Sequence, residues 1–496
     1  MWPRSHLLTF PALLAAAAVM ACGPDTPPLA PASPLYRQAQ RIGNLFPFED
    51  PSGTVATYST TGSLDISNPF FQSLGTNGRS CGSCHLASDA FGLSAASAQS
   101  RFGSTGGTDP LFAAFDGANC PNAAPGDAGA RSLLLSRGLI RVALPVPANA
   151  QFTVAAVHDP YGCALVVDPQ GIATASMYRR PLPTTNLSFL SAVMFDGRET
   201  LAPLNNEQTM QANLRSDLAH QAADATLGHA QAAVAPTAAQ VSQIVDFELA
   251  LFSAQVRDDS AGMLDAQGAD GGPQPLATQS FYPGINDPLG GNPTGAAFDP
   301  KVFTIFTRWL NLQSSERDQY TTAREAVNSG ELVFNTHPLK ITGVKGLNDA
   351  LGLAEINGTC TTCHDSPNVG NHSLAVPLDI GTSHAASYEA DPQVASGLAQ
   401  LSTPDLPVFQ LTCTAGPLAG TVSYTSDPAK ALLSGRCSDI GRGKGPILRG
   451  LAARAPYFHN GAAASLAEVA SFYNQRFQMG LTERDRADLV AFLKSL

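Results

Sequence analysis

Apolar residues recur most clearly near the C-terminal end of the chain. In "SLAEVASFYNQRF", Leu466, Val469 and Tyr473 fall at i, i+3 and i+7, which predicts one buried face of a helix. Ser465 and Glu468 precede that face at the spacing of a capping box. "TERDRADLVAFLKSL" predicts a second helix, with Thr482 as N-cap and Leu489, Val490, Phe492 and Leu493 turned inward. "REAVNSGELVFN" predicts a short amphipathic helix. In "AQVSQIVDFELALFSAQ", Val241, Ile244, Phe247, Leu251 and Phe252 again keep helical spacing. Strand-like patterning is confined to "RSLLLSRGLIRVALPV" and "QFTVAAV", the latter reading as a small hairpin or extended ribbon. "DAQGADGGPQPLATQSFYPGINDPLGGNPTG" reads as irregular loop. The pattern therefore predicts a mainly α protein with extensive ordered loop and little strand.

Composition adds scale and sign. The chain has 496 residues, 44% of them hydrophobic, enough for roughly two to four domains with real cores. Charged residues make up only 14%, against 44 Gly and 37 Pro, which suits short helices joined by loop. A formal charge of −11 argues against nucleic acid and for a basic protein partner, because opposite fields steer encounter. At the N-terminus, Arg4 and the apolar run Leu7 to Met20 read as a secretory signal over residues 1–21. Val19-Met20-Ala21 before Cys22 reads as a bacterial lipobox, with Met20 imperfect and an ordinary signal peptide as the alternative. The Pro-rich stretch 22–34 reads as a tether. These residues predict an exported protein of the periplasm or cell envelope, held to a membrane only by lipid at Cys22.

The nine cysteines divide by context. "CGSCH" (Cys81, Cys84, His85) and "CTTCH" (Cys360, Cys363, His364) are both Cys-x-x-Cys-His, the attachment pattern of c-type haem. There two thiols form thioethers and the adjacent imidazole is an axial ligand. A lone Cys-x-x-Cys is as well a redox or zinc pair, but the repetition of the full five-residue pattern favours two covalent haems. Cys120, Cys163, Cys413 and Cys437 remain, an even number for an oxidising compartment. Three connectivities are open; Cys120–Cys163 with Cys413–Cys437 is favoured because each pair lies within one half of the chain. Each bond would add roughly 3–4 kcal/mol by closing a loop of the unfolded chain; free buried thiols are the alternative.

Two further segments carry a resemblance. "GPILRGLAARAPYFHNGAAASLAEVASFY" is similar to the C-terminal signature of the bacterial dihaem cytochrome c peroxidase and MauG family, and "AVMFDGRE" resembles that family's Trp-Asp-Gly-Arg segment. The resemblance implies two cytochrome c-like domains, at 35–255 and 299–496, joined by an irregular linker at 256–298. It implies a peroxide-reacting haem in the first and an electron-transfer haem in the second. It implies hydrogen peroxide as substrate and a small cytochrome c or cupredoxin as donor. It also implies that Asp196 and Arg198 fix the chain between the haems. Tyr473 follows His459 at the distance where the family's peroxidases place an axial Met and MauG an axial Tyr on the second iron. A core tyrosine is the alternative, and Met479 is a nearby candidate ligand. The family's calcium site has no clean match around "PLPTTN", so calcium stays an open cofactor.

The chain departs from the family twice. Phe195 replaces the bridging Trp, and Trp309, the single tryptophan of the mature region, has no role that sequence assigns. The family's distal Gln-Ala is present as Gln221-Ala222, but the polar residue that follows is His229 rather than Glu. Leu218, Ala222, Ala225 and His229 share one helical stripe, which turns His229 inward. His229 is then a distal base, an iron ligand or a satisfied core histidine; Glu207 in "PLNNEQTM" is a competing acid/base. Three functions follow: a peroxidase, a MauG-like oxidase of a protein or organic substrate, or a non-enzymatic dihaem electron carrier. Tyr473 favours the second over the first.

Overall fold

The structure, a computed structural model, describes residues 40–201, 207–282, 284–292, 294–367, 369–370, 376–384 and 401–496. The signal, the tether and Cys22 lie outside the described residues. The chain is mixed α/β, with 32% helix and 18% strand in several antiparallel sheets. This overturns the expectation of a mainly α fold with little strand.

The reason is visible in particular segments. The stretch read as one helix up to Gln255 is helical only over Ala238–Leu249 and continues as the strand Leu251–Asp258. Thr237 and Gln240 cap the helix reciprocally. Beyond Ala250 the chain pairs antiparallel with Gly53–Ser59, in a sheet that Phe48–Asp50 and Gly262–Met263 complete. Helical spacing and strand alternation coincide over Phe247 to Phe252, so the partner decides. Ser253, buried, bonds across the pair to Thr57 (2.7 Å). A polar side chain there is tolerated only because the sheet satisfies it.

The two strand-like stretches pair with other segments rather than with each other, and the first opens as the helix Ser132–Arg137 before its strand begins. Ile140–Pro145 pairs with Ala173–Arg179, which also pairs with Leu165–Val167. Phe152–His158 pairs with Val408–Cys413, and that strand with Val422–Thr425. A sheet so distant in sequence has no local signal. Its core joins Phe152, Ala175 and Met177 to Phe409, Leu411 and Ile440. The favoured disulfides, Cys120–Cys163 and Cys413–Cys437, are both formed. The second ends the strand Val408–Cys413 and lies within that core.

Helices dominate the C-terminal part. Thr321–Thr336 packs along Glu483–Lys494, with Phe334 against Phe492 at 5.5 Å between ring centres. The approach is close at Gly330, where a Cβ would stand 1.9 Å from the Asp488 carbonyl. Thr482 and Asp485 form a reciprocal cap, and Leu489, Phe492 and Leu493 are buried as expected. Ser465 caps Leu466–Arg476 by accepting the Glu468 N–H, while the Glu468 carboxylate turns to the Ala464 N–H (2.7 Å). The C-terminal carbonyl of Leu496 accepts from Gln255 and Gly450, tying the chain end to the first sheet.

Candidate functional site

The two Cys-x-x-Cys-His motifs fold alike. Each is one 3₁₀ turn, Cys81–Ser83 and Cys360–Thr362. In the first, the Ser83 hydroxyl accepts the Ser80 N–H (3.0 Å), and the Cys84 and His85 N–H groups donate to the Cys81 carbonyl (3.1 and 3.0 Å). In the second, the Thr362 hydroxyl accepts the Thr359 N–H (3.0 Å), and Cys363 and His364 donate to Cys360 (3.1 and 2.9 Å). A hydroxyl just before the second cysteine closes the turn in both.

The histidines are also held alike. His85 Nδ1 meets the Phe91 carbonyl at 3.1 Å, and His364 Nδ1 meets the Val369 carbonyl at 3.2 Å. A carbonyl partner puts the proton on Nδ1 and frees Nε2 as a ligand nitrogen. Burial lowers both imidazoles to about 4, so they are neutral donors at physiological pH. Burial pushes Cys81, Cys360 and Cys363 up to about 12 and Cys84 to about 11. All four thiols are free of disulfides.

What faces each motif differs. Cys81, Cys84 and His85 open on a cavity of about 160 Å³. Gln221 and His229 line the same cavity, brought there by one stripe of the helix Glu207–Gly228 and its continuation. His229 Nδ1 is 2.6 Å from Asp116, and Asp116 is paired in turn with Arg79. Burial alone would raise the Asp116 carboxyl; the His229 hydrogen bond and the Arg79 charge hold it below the usual carboxylate range. His229 therefore keeps Nε2 as its available nitrogen and is electrostatically coupled to His85. Glu207 starts the helix, but its side chain lies outside the described residues.

The cavity holds groups that sequence reasoning missed. Glu248, on Ala238–Leu249, is 3% exposed, and its Oε2 has no partner among the described residues. Burial raises it to about 8. Arg180, Arg198 and Lys444 line the same space; the Arg180 Nε is buried and unbonded. Asp116, Glu248 and Lys444 come from three distant segments and belong to no motif; only Glu248 had a signal, a lone acid within an apolar helical run.

The second motif meets an apolar wall. Cys360 and Cys363 pack on the C-terminal core, which includes Tyr473 and Met479. Phe334 lies 5.6 Å from the His364 ring. Tyr473 contacts Phe458, Phe472 and Phe477. Burial raises its phenol, and the two thiols Cys360 and Cys363 raise it further. Tyr473 thus sits at the second motif.

Asp196 is buried between Arg179 (2.5 Å) and Arg198 (2.9 Å), and Arg179 also holds Asp427 (2.6 Å). Phe195 stacks on His459 at 4.4 Å with 11° between the rings, and the Gly443 backbone presses on its edge. Trp309 is a core residue stacked on Phe306, its N–H on the Ala266 carbonyl (3.0 Å).

The donor set fits c-type haem at both motifs. Each has two reduced thiols, a neutral histidine with Nε2 free and, at the first, an unpaired buried guanidinium nitrogen and a lysine suited to carboxylates. No protein-family model matches the chain. Over 69 residues the chain is 41% identical to the cytochrome-c peroxidase IdrP1 of Denitromonas iodatirespirans, 12% of this chain and 18% of that protein's length. A solved MauG-like protein associated with microbial copper homeostasis is 12% identical, with a TM-score of 0.27 over 68% of this chain and 79% of that one. The chain thus shows a distant, local similarity to a cytochrome-c peroxidase over those 69 residues.

Proposed function

We propose that the chain is an exported dihaem c-type peroxidase that reduces hydrogen peroxide with electrons from a small cytochrome c or cupredoxin. The observation that carries this reading is the pairing of His229 with buried Asp116 in the cavity of the first motif. When bound, haem at the two motifs would supply the redox chemistry, breaking the O–O bond at the first and delivering electrons from the second. Asp116 fixes the His229 tautomer, as a buried carboxylate does for a general base. His229 Nε2 can then take the proton of the peroxide's near oxygen and return it to the leaving oxygen. Gln221, on the same wall, can orient the peroxide by hydrogen bonding. His85 and His364 would hold iron through Nε2, and Arg180 and Lys444 could hold carboxylates. The divisions 35–255, 256–298 and 299–496, and the anchor at Cys22, belong to this reading.

Steady-state peroxide reduction with a small reduced cytochrome tests it. Turnover together with carbon monoxide binding to the reduced protein supports a peroxidase. Carbon monoxide binding without turnover points to the oxidase, and neither points to an electron carrier. Tyr473 beside Cys360 and Cys363 favours the second reading, a MauG-like oxidase. A phenolate ligand disfavours reduced iron, whereas a thioether raises the potential. A redox titration decides: a clearly positive potential at the second site removes Tyr473 as ligand and makes Met479 the candidate.

A further inference from the structure

The helix Glu207–Gly228 shows two working stripes. One carries Gln221, Ala222, Ala225 and His229 to the cavity. The other carries Asp217, His220 and Asp224, spaced i, i+3 and i+7, toward the segment after Asp-Gly-Arg. There His220 Nδ1 lies 2.6 Å from Glu199 Oε2 and 3.9 Å from Asp224 Oδ2. One donor atom from each of Glu199, His220 and Asp224 falls within 4.8 Å of the others.

Glu199 is buried while His220 and Asp224 reach solvent, so an ion could enter from outside. Arg198 borders the far oxygen of Glu199 at 3.8 Å but is committed to Asp196 (2.9 Å). That leaves Oε2 on the His220 side. A second, independent feature points the same way. Asp217, 1% exposed, spends Oδ1 on the Leu201 N–H (3.0 Å), while its Oδ2 is buried with no partner among the described residues. It is electrostatically coupled to His220, one turn along the same stripe. An unpaired buried carboxylate oxygen on the helix stripe that carries His220 and Asp224 is costly unless a cation joins it.

We propose that Glu199, His220 and Asp224, with Asp217 behind them, bind one divalent first-row transition ion of the zinc type. One imidazole nitrogen with carboxylate oxygens suits such an ion better than calcium or magnesium, which take oxygen alone. With bonds of about 2.0–2.2 Å, tetrahedral donors stand roughly 3.3 Å apart. His220 and Glu199 must open slightly from 2.6 Å, and the exposed Asp224 must swing closer to both. The ion displaces the proton that His220 Nδ1 shares with Glu199, so binding releases a proton. The site is independent of haem. It would fasten the Asp-Gly-Arg segment to the back of the helix that presents Gln221 and His229.

The full-length protein with its haem, stripped by chelator and titrated with zinc chloride by calorimetry, tests this. One zinc per chain is expected, retained on gel filtration and counted against iron by elemental analysis. Zinc should also raise the thermal midpoint. His220→Ala and the gentler, surface-placed Asp224→Asn should each weaken binding at least tenfold and abolish the shift. Absence of stoichiometric zinc in the wild type overturns the proposal. So does unchanged affinity in folded Asp224→Asn protein.

Discussion

The two Cys-x-x-Cys-His sites are the same object in two settings. Backbone turn, hydroxyl closure and Nδ1-to-carbonyl bond agree to within about 0.1 Å. The walls opposite share nothing. The first faces Gln221, His229 on Asp116, and buried Glu248. The second faces Tyr473 among phenylalanines. The turn that offers two thiols and a histidine is thus a five-residue property, and what it can do belongs to whatever the fold brings across from it. Several polar groups across the first site can move protons; the second offers the Tyr473 phenol in a wall that is otherwise apolar.

The comparison breaks most severely if the motifs are not equivalent anchors. Cys360→Ala with Cys363→Ala should halve the haem per chain by pyridine haemochrome, and Cys81→Ala with Cys84→Ala should do the same. Undiminished haem in either double variant ends the two-site reading.

The buried acid of the first cavity sharpens the contrast. Glu248 titrates at about 8 in the folded protein against an ordinary 4.5, because burial penalises the anion. Between those pH values the unfolded chain has lost a proton that the folded chain keeps. Stability therefore falls as pH rises from about 4.5 to about 8 and is flat above. The full excursion is about 3–5 kcal/mol. Glu248→Gln should remove this slope in urea unfolding measured at pH 5 and pH 8; a slope that persists assigns it to another group.

His229→Ala should slow the reaction with peroxide by roughly 10²-fold, about 2.7 kcal/mol of barrier, with little change in the ferric spectrum. Asp116→Asn should slow it less, since it spoils only the tautomer. A large ferric shift would make His229 an iron ligand, and an unchanged rate would pass the role to Glu207 or water.

The smallest effect tests sameness. Ser83→Ala and Thr362→Ala each remove one hydroxyl acceptor from a turn and should each cost about 1 kcal/mol. Unequal losses would show that the second turn leans on its surroundings more than the first.

Much of the chain was legible where interactions are local. The caps at Ser465 and Thr482, the inward faces of the C-terminal helices, and both Cys-x-x-Cys-His turns follow from residues a few positions apart. So did the disulfide pairs, because neighbours in sequence close the cheapest loops. Leu218, Ala222, Ala225 and His229 line one cavity, as their helical spacing required, whereas Gln221 on the same wall was named by the resemblance alone.

The sheets were not legible. Phe152–His158 finds its partner at Val408–Cys413, and Leu251–Asp258 abandons a helical pattern to pair with Gly53–Ser59. Strand pairing is an agreement between distant segments, and neither one alone records it. Asp116, Glu248 and the Arg179–Asp427 link were hidden for the same reason. The sequence by itself determined where the two Cys-x-x-Cys-His turns fall and which helix face turns inward, because a five-residue turn and 3.6-residue periodicity act within a few residues. Only the tertiary structure decided which side chains stand opposite each motif, because that is set by packing between segments hundreds of positions apart.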